Sequence, residues 1–305
     1  MKTVQILLST YNGEKYLEQQ MESLINQINI NFKIFIRDDG SSDKTKEILN
    51  SYSKYKNIEI EFGENIGVIK SFFELLEKSD GNADYYAFCD QDDFWEKEKL
   101  TRAVDMLNNQ EDSLLPLLYC SKTKLVDENL NFIRYSNSLK RKLSIGNALV
   151  ENIATGCTIV LNNSLRKEIL KETVNKENII MHDWWVYLVA LLKGKVIFDN
   201  DSYILYRQHQ NNTVGVNLNP FKLFIKRGKR FLGNKKNHTF QIQCEELKRI
   251  YANEISKENL TKINGFLFNR SKFNERLNVL KERKFYRQSK IETVYIYILI
   301  LMGRM

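Results

Sequence analysis

The first third of the chain repeats one pattern: a short apolar run, a polar turn, then apolar residues at helical spacing. Residues 2–9 are a β-like run that the turn Thr10-Tyr11-Asn12-Gly13 cuts off. Leu17, Met21, Leu24, Ile25 and Ile28 follow at the spacing that places them on one face of a helix. Residues 32–37 predict a second strand, which runs into Asp38-Asp39-Gly40-Ser41-Ser42-Asp43. That cluster combines turn formers with helix N-caps, and Ile48, Leu49 and Tyr52 mark the helix after it. Residues 58–62 predict a third strand, followed by Asn65-Ile66-Gly67 and a helix through Phe72, Leu75 and Leu76. Residues 85–89 predict a fourth, which delivers Asp90 at its end.

Strands alternating with single helices imply right-handed crossovers and a mainly parallel sheet. Ligands of such sheets bind beyond the carboxyl ends of the strands. Tyr11, Asp39, Asn65 and Asp90 all fall at those ends, so four separate pieces of sequence converge on one cleft.

Farther along, residues 117–121, 156–161, 195–198 and 203–209 predict strands, and residues 163–172 and 183–192 predict helices. Beyond Pro220 the pattern is helical, over residues 221–232, 239–254, 259–282 and 289–302. The expected division is therefore an α/β domain over residues 1–215 and a helical region over residues 216–305. Residues 294–302 are strongly apolar but well short of the ~20 residues that a membrane span requires.

Charge sharpens that division. The net charge is +8, but from Arg207 onward there are 21 Lys/Arg against 7 Asp/Glu, leaving 25 against 31 in the remainder. A basic tail on an acidic body suggests a contact with an anionic surface, with a dimer interface as the other use. Residues 221–232 interleave aromatics and bases, which suits an interfacial helix, a docking helix or a nucleic-acid patch. The four cysteines, at 89, 120, 157 and 244, form no Cys-x-x-Cys pair, which excludes a zinc ribbon or disulfide framework and suits a reducing compartment. The first apolar run is too short for a signal peptide, so a cytoplasmic chain is expected.

The chemistry concentrates in Phe88-Cys89-Asp90-Gln91-Asp92-Asp93-Phe94-Trp95. Carboxylates spaced Asp-x-Asp at a strand end can hold Mg²⁺ or Mn²⁺, which prefer oxygen ligands. A solvated loop capping a helix near Glu96 is the plainer alternative, but the strand-end position and flanking aromatics favour the metal. The two aspartates at 38 and 39 exceed what a cap needs, so one can accept hydrogen bonds from a base or ribose. Asp183 in His182-Asp183-Trp184-Trp185 is either a helix cap or a general base made more basic by the rings beside it, and those rings could stack on a sugar. His209, one of three histidines, ends a strand where a second metal ligand or phosphate contact would be useful. Thr155-Gly156-Cys157 reads as a close backbone approach, with Cys157 buried rather than nucleophilic.

Taken together, these segments resemble glycosyltransferase family 2, inverting enzymes with a GT-A fold. The resemblance covers roughly residues 3–210 and rests on STYNGEKYL, IRDDGSSD, ENIGVIKSF and FCDQDDFWEKEKL in the family's order. ATGCTIVLN, MHDWW and YRQHQNNTVG are similar to a bacterial branch that includes rhamnosyltransferases of surface-polysaccharide assembly. The resemblance implies that Ser9, Thr10, Tyr11 and Asp39 contact the nucleoside, with Lys70 near the nucleotide and Asp90 at the ribose or diphosphate. It implies Asp92 as the ligand of Mn²⁺ or Mg²⁺, His209 as a further metal or diphosphate ligand, and Asp183 as the catalytic base. Asp93, Thr155, Gly156, Trp184, Trp185 and Arg207 are the expected substrate contacts. The family's acidic pair near the acceptor is His182-Asp183 here, so one carboxylate must serve. The implied donor is dTDP-L-rhamnose, with UDP-hexoses behind it, and the implied acceptor is a lipid-linked saccharide at the inner face of the membrane.

Two rival readings are weaker. A nucleic-acid module would have to place phosphates against an acidic cleft. Dinucleotide and P-loop enzymes lack their fingerprints here, since no G-x-G-x-x-G follows the first strand and no G-x-x-x-x-G-K-[ST] occurs. A nucleotidyltransferase is the best enzymatic rival.

Overall fold

The computed structural model describes residues 2–112, 114–209, 239–269 and 271–304. The expected helix over residues 221–232 lies outside the described residues. In chain order, β1 (Thr3–Thr10), α1 (Leu17–Ile25), β2 (Asn31–Asp38), α2 (Thr45–Tyr52), β3 (Ile58–Phe62), α3 (Val68–Lys78) and β4 (Tyr85–Cys89) form the alternating first part. Next come β5 (Phe94–Trp95), α4 (Lys99–Asn108), β6 (Leu117–Ser121), β7 (Lys124–Val126), β8 (Phe132–Tyr135) and α5 (Ile145–Ala148). A 3-10 turn (Gly156–Thr158) leads to β9 (Val160–Asn162), α6 (Asn163–Leu170), α7 (His182–Lys193), β10 (Lys195–Asp199) and β11 (Ile204–Arg207). Described helices of the tail are α8 (Thr239–Tyr251), α9 (Lys257–Phe266), α10 (Phe273–Lys281) and α11 (Lys290–Leu301).

The chain forms two units. The first comprises Met1–Ser138, Ile153–Thr173 and Met181–Arg207. Its seven-stranded sheet has the order β10-β6-β9-β4-β1-β2-β3, parallel except for β9, which runs antiparallel to β4 and β6. Register puts the strand ends level: Leu8 pairs with Cys89, Thr10 with Asp38, and Asp38 with Phe62. The turns after β1, β2, β3 and β4 therefore leave the sheet at one edge, as the alternation predicts. Burial of Val4, Ile6 and Leu8 against Leu17, Met21 and Leu24 fixes that register, because a one-residue slip would turn these side chains to the opposite face. A second sheet, of order β5-β11-β7-β8, was not expected. Its strands run two to four residues, too short for a periodicity signal.

Three expectations need correction. The strand predicted over residues 156–161 begins as the 3-10 turn, because Thr158 and Ile159 donate back to the carbonyls of Thr155 and Gly156. The helix expected near Glu96 starts at Lys99, since Phe94 and Trp95 pair with β11. The single helix over residues 259–282 is two, with Asn269 N–H donating to Glu275 Oε2 at the break.

The second unit joins Leu139–Asn152 and Val174–Ile180 to Gln208–Met305. The boundary thus falls at Arg207, ahead of the expected 215, and two earlier segments belong with the tail. Glu151 Oε2 accepts from Asn147 Nδ2 and from Gln288 N–H, while Glu246 accepts from Asn175 N–H and Asn178 Nδ2. At Gly146 a Cβ would stand 2.1 Å from the carbonyl oxygen of Lys284, so only glycine permits this approach. No helix among the described residues is long and apolar enough to cross a membrane.

Candidate active site

The two aspartates that end β2 divide the labour. Asp38 is buried and structural: Oδ1 accepts from Ser41 N–H, and Oδ2 from the hydroxyls of Ser41 and Thr10. Thr10 is accordingly turned inward, and its side chain offers nothing to a nucleotide in this structure. Asp39 accepts from Arg37 Nη1 at 2.6 Å, from Ile66 N–H at 2.8 Å and from Gly67 N–H at 2.9 Å. It ties the turn after β3 to the end of β2, and it is buried rather than open. Ser9 Oγ and Ser71 Oγ lie 2.7 Å apart. Tyr11 is 48% exposed, as a stacking platform requires, and Lys70 is exposed in the first turn of α3.

The turn after β4 is braced on both sides. Gln91 accepts from Tyr11 N–H at 2.8 Å and donates to the Tyr11 carbonyl at 2.9 Å, fastening this turn to the one after β1. Arg207 is 1% exposed and therefore no substrate contact. Its Nε donates to the Asp92 carbonyl, its Nη2 to Gln19 and its Nη1 to the Glu128 carbonyl, while its backbone N–H donates to Asp93 Oδ1. The guanidinium also lies 4.4 Å from the centroid of the Tyr16 ring. Asp93 is fully buried and likewise cannot reach a substrate; its Oδ2 makes no hydrogen bond.

Beneath this turn lies a group that the sequence reading missed. Lys99 is buried, its Nζ stands 3.4 Å from the centroid of the Trp95 ring, and it has no hydrogen-bond partner. Burial lowers its ammonium to about 8, partly offset by Cys89, Cys157 and Asp93. No periodicity separates this lysine from an ordinary one in the first turn of a helix, although its place four residues after Trp95 hints at ring contact.

Asp183 sits in the first turn of α7, partly exposed, with Oδ2 3.1 Å from Gly156 N–H and Oδ1 accepting from Trp184 N–H. A Cβ on Gly156 would lie 3.3 Å from His182 Nε2, so the glycine leaves room for that buried ring beside the carboxylate. Gly156 is thus buried behind Asp183, with Thr155 partly exposed beside it. His182 stacks on Phe72 at 3.9 Å between centroids and 14° between planes, and meets the edge of Phe88. Neither ring nitrogen has a partner, and burial pulls its pKa down to about 3, so it is a neutral aromatic packing residue. Trp185 is fully buried and presents no face for stacking, whereas Trp184 is partly exposed.

The electrostatics link these pieces. Burial raises the Asp90 carboxyl to about 7, and Asp92 and Asp183 push it the same way. Burial also holds Asp93 well above the usual carboxylate range, with Asp92 and Asp90 adding to it. Ligand atoms of Asp90, Asp93 and Cys157 lie within 4.8 Å of one another, among the described residues the one such cluster of three. Crowded carboxylates with an orphaned buried oxygen fit a hard divalent cation. Asp92, the expected ligand, is outside that threesome but partly exposed and close enough to raise Asp90. His209 belongs to the second unit and the carboxylates to the first.

Such a site belongs to an α/β enzyme that works at the carboxyl edge of its sheet. A family model for glycosyl transferase family 2 matches residues 5–173, more than half of the chain, and the chain belongs to that family. It is 29% identical to the dTDP-rhamnosyl transferase RfbG of Shigella flexneri, over 97% of this chain and 99% of the relative. It is 25% identical to an Escherichia coli enzyme, the UDP-Glc:alpha-D-GlcNAc-diphosphoundecaprenol beta-1,3-glucosyltransferase WfgD, over 72% of this chain and 81% of that one. Among solved structures, S. aureus TarS 1-349 in complex with UDP-GlcNAc matches with a TM-score of 0.59 and 17% identity, over 99% of this chain and 90% of that one. The expected GT-A fold is thereby found, and the protein is a glycosyltransferase.

Proposed function

We propose that the protein transfers L-rhamnose from dTDP-L-rhamnose, with inversion, to a hydroxyl of a lipid-linked saccharide in cell-surface polysaccharide synthesis. The observation that carries the reaction is that the 3-10 turn bonded to Asp183 packs on β4, the strand that runs into Asp90 and Asp92, which brings an acidic cluster and a separate carboxylate to one place. Similarity to RfbG along nearly the whole chain supports the donor, and similarity to WfgD supports the lipid-linked acceptor.

Asp90 and Asp92, both partly exposed, would hold Mn²⁺ or Mg²⁺, with the orphaned Asp93 Oδ2 within reach of the same ion from beneath. The bound cation would neutralise charge on the leaving diphosphate. Tyr11 would stack on the base, and Asp39 would shape the nucleoside pocket by holding Ile66 and Gly67. Asp183 would take the proton of the acceptor hydroxyl while that oxygen bonds to the anomeric carbon. The bond from that carbon to the diphosphate oxygen breaks on the opposite face, so configuration inverts without a covalent intermediate. Gly156 N–H and Trp184 N–H fix the carboxylate for this task.

A UDP-hexose donor is the second reading, favoured by the similarity to WfgD. A thermal-shift panel of dTDP-L-rhamnose, UDP-glucose, UDP-GlcNAc and GDP-mannose, each with Mn²⁺ or Mg²⁺, separates the two, because stabilisation follows affinity. The largest shift should come from dTDP-L-rhamnose with metal. Stabilisation by a UDP-sugar alone would overturn the rhamnose assignment.

A further inference from the structure

α11 is buried on one side and bare on the other. Thr293, Ile296, Leu299 and Ile300 are buried. Ile291, Val294, Ile298, Leu301 and Met302 are between 36% and 77% exposed. At 100° per residue these five fall within an arc of roughly 100°, a continuous apolar stripe. Of the helix's own two charged residues, Lys290 borders that arc and Glu292 lies well away from it. The opposite face already has its partners, so the stripe is not the core side of the helix.

The stripe has an aromatic and basic rim. Arg276 Nη1 donates to the Leu301 carbonyl, which brings α10 alongside the end of α11, and Phe273 is 54% exposed one turn before Arg276. Burial raises the Tyr297 phenol while Arg141 and Arg283 act against it, which puts two cations near that ring. Residues 271–304 carry eight Lys/Arg against three Glu.

We infer that this face of α11 docks in the plane of an anionic lipid surface, with the five apolar side chains among the acyl chains and the surrounding Lys and Arg at the headgroups. Helix length supports this occupant over a second copy of the chain. Twelve residues make a helix of only ~18 Å. Such a stripe offers on the order of 200 Å², far below the ~800 Å² per partner of a stable protein interface. A second copy would also set one basic surface against another. A lipid surface instead needs apolar side chains to enter by ~5–10 Å and basic residues to meet anionic headgroups. This inference names the surface for the membrane contact implied by a lipid-linked acceptor, and it does not depend on which sugar is transferred.

The test is co-sedimentation of the full chain with vesicles of phosphatidylcholine, with and without phosphatidylglycerol. Binding should require the anionic lipid, weaken with salt, and fall by about tenfold or more in Val294→Glu/Ile298→Glu. Lys290→Gln/Arg283→Gln should weaken it less while leaving the apolar stripe intact. Thermal stabilisation by the donor nucleotide should be unchanged in both variants, which separates docking from misfolding and from failure of the glycosyltransferase reading. No binding by the wild type, or equal binding by Val294→Glu/Ile298→Glu, overturns the inference. So does a dimer, measured by light scattering, that this double variant dissolves, because the stripe then belongs to a second copy.

Discussion

Gln91 holds the Tyr11 peptide at both ends, accepting from its N–H at 2.8 Å and donating to its carbonyl at 2.9 Å. The middle residue of Asp-Gln-Asp thereby fastens the proposed base platform to the proposed metal ligands. Two hydrogen bonds worth about 1 kcal/mol each suggest that Gln91→Ala weakens nucleotide binding by about tenfold or more. Turnover at saturating donor should suffer less. Calorimetry with dTDP and Mn²⁺ measures the first and saturation kinetics the second. Unchanged affinity would mean that Tyr11 needs no clamp.

Asp183→Asn should lower turnover by about 10²–10⁴ while donor binding survives, the range expected for a lost general base. The amide oxygen can still accept from Gly156, but the NH₂ cannot accept from Trp184 N–H, so retained donor affinity is the control for local shape. Gly156→Ala offers a geometric counterpart. Its added methyl would crowd the buried His182 ring at 3.3 Å, next to the base, while meeting Asp183 only at ordinary contact distance. Equal loss of kcat in product assays with intact donor affinity would fit both; unchanged turnover in Asp183→Asn would remove it from the reaction.

Asp92→Ala should abolish the Mn²⁺-dependent part of nucleotide binding. In the wild type that part should also weaken as pH falls through about 7, where the Asp90 carboxyl gains its proton in competition with the cation. Calorimetry across pH, with and without Mn²⁺, reads this directly. Metal-dependent binding that persists in Asp92→Ala would shift the assignment to Asp90 with Asp93 and Cys157.

The alternation that gave β1 to β4 was legible because each strand is a run of five to eight residues and helices of two to three turns separate them. Convergence of Tyr11, Asp39 and Asp90 followed from that alternation alone. Which acid does what was not legible: Asp38 and Asp39 are neighbours, yet one caps a turn and the other joins two turns. Likewise Arg207 and Trp185 look like ligand contacts in sequence and are buried braces in the fold. Their partners, Asp92, Glu128 and Gln19 for Arg207, come from distant parts of the chain that local patterning cannot pair.

His182 makes the last prediction. Burial against Phe72 and Phe88 pulls its pKa from about 6.5 in the unfolded chain to about 3. Between those values the unfolded chain binds the proton and the folded one does not. Its contribution to stability is therefore full above about pH 6.5 and is lost progressively as pH falls toward 3. Asp90 acts with the opposite sign, since its raised pKa favours the fold at lower pH until about 4. The two must be separated by a variant, and His182→Phe keeps a ring on Phe72 while removing the titration. From about pH 7.5 to about pH 5, wild type should lose on the order of 2 kcal/mol more than His182→Phe. Urea unfolding at both pH values measures the difference. Equal losses in the two proteins would show that His182 gains its proton within the fold and that its stacking is not what keeps it neutral.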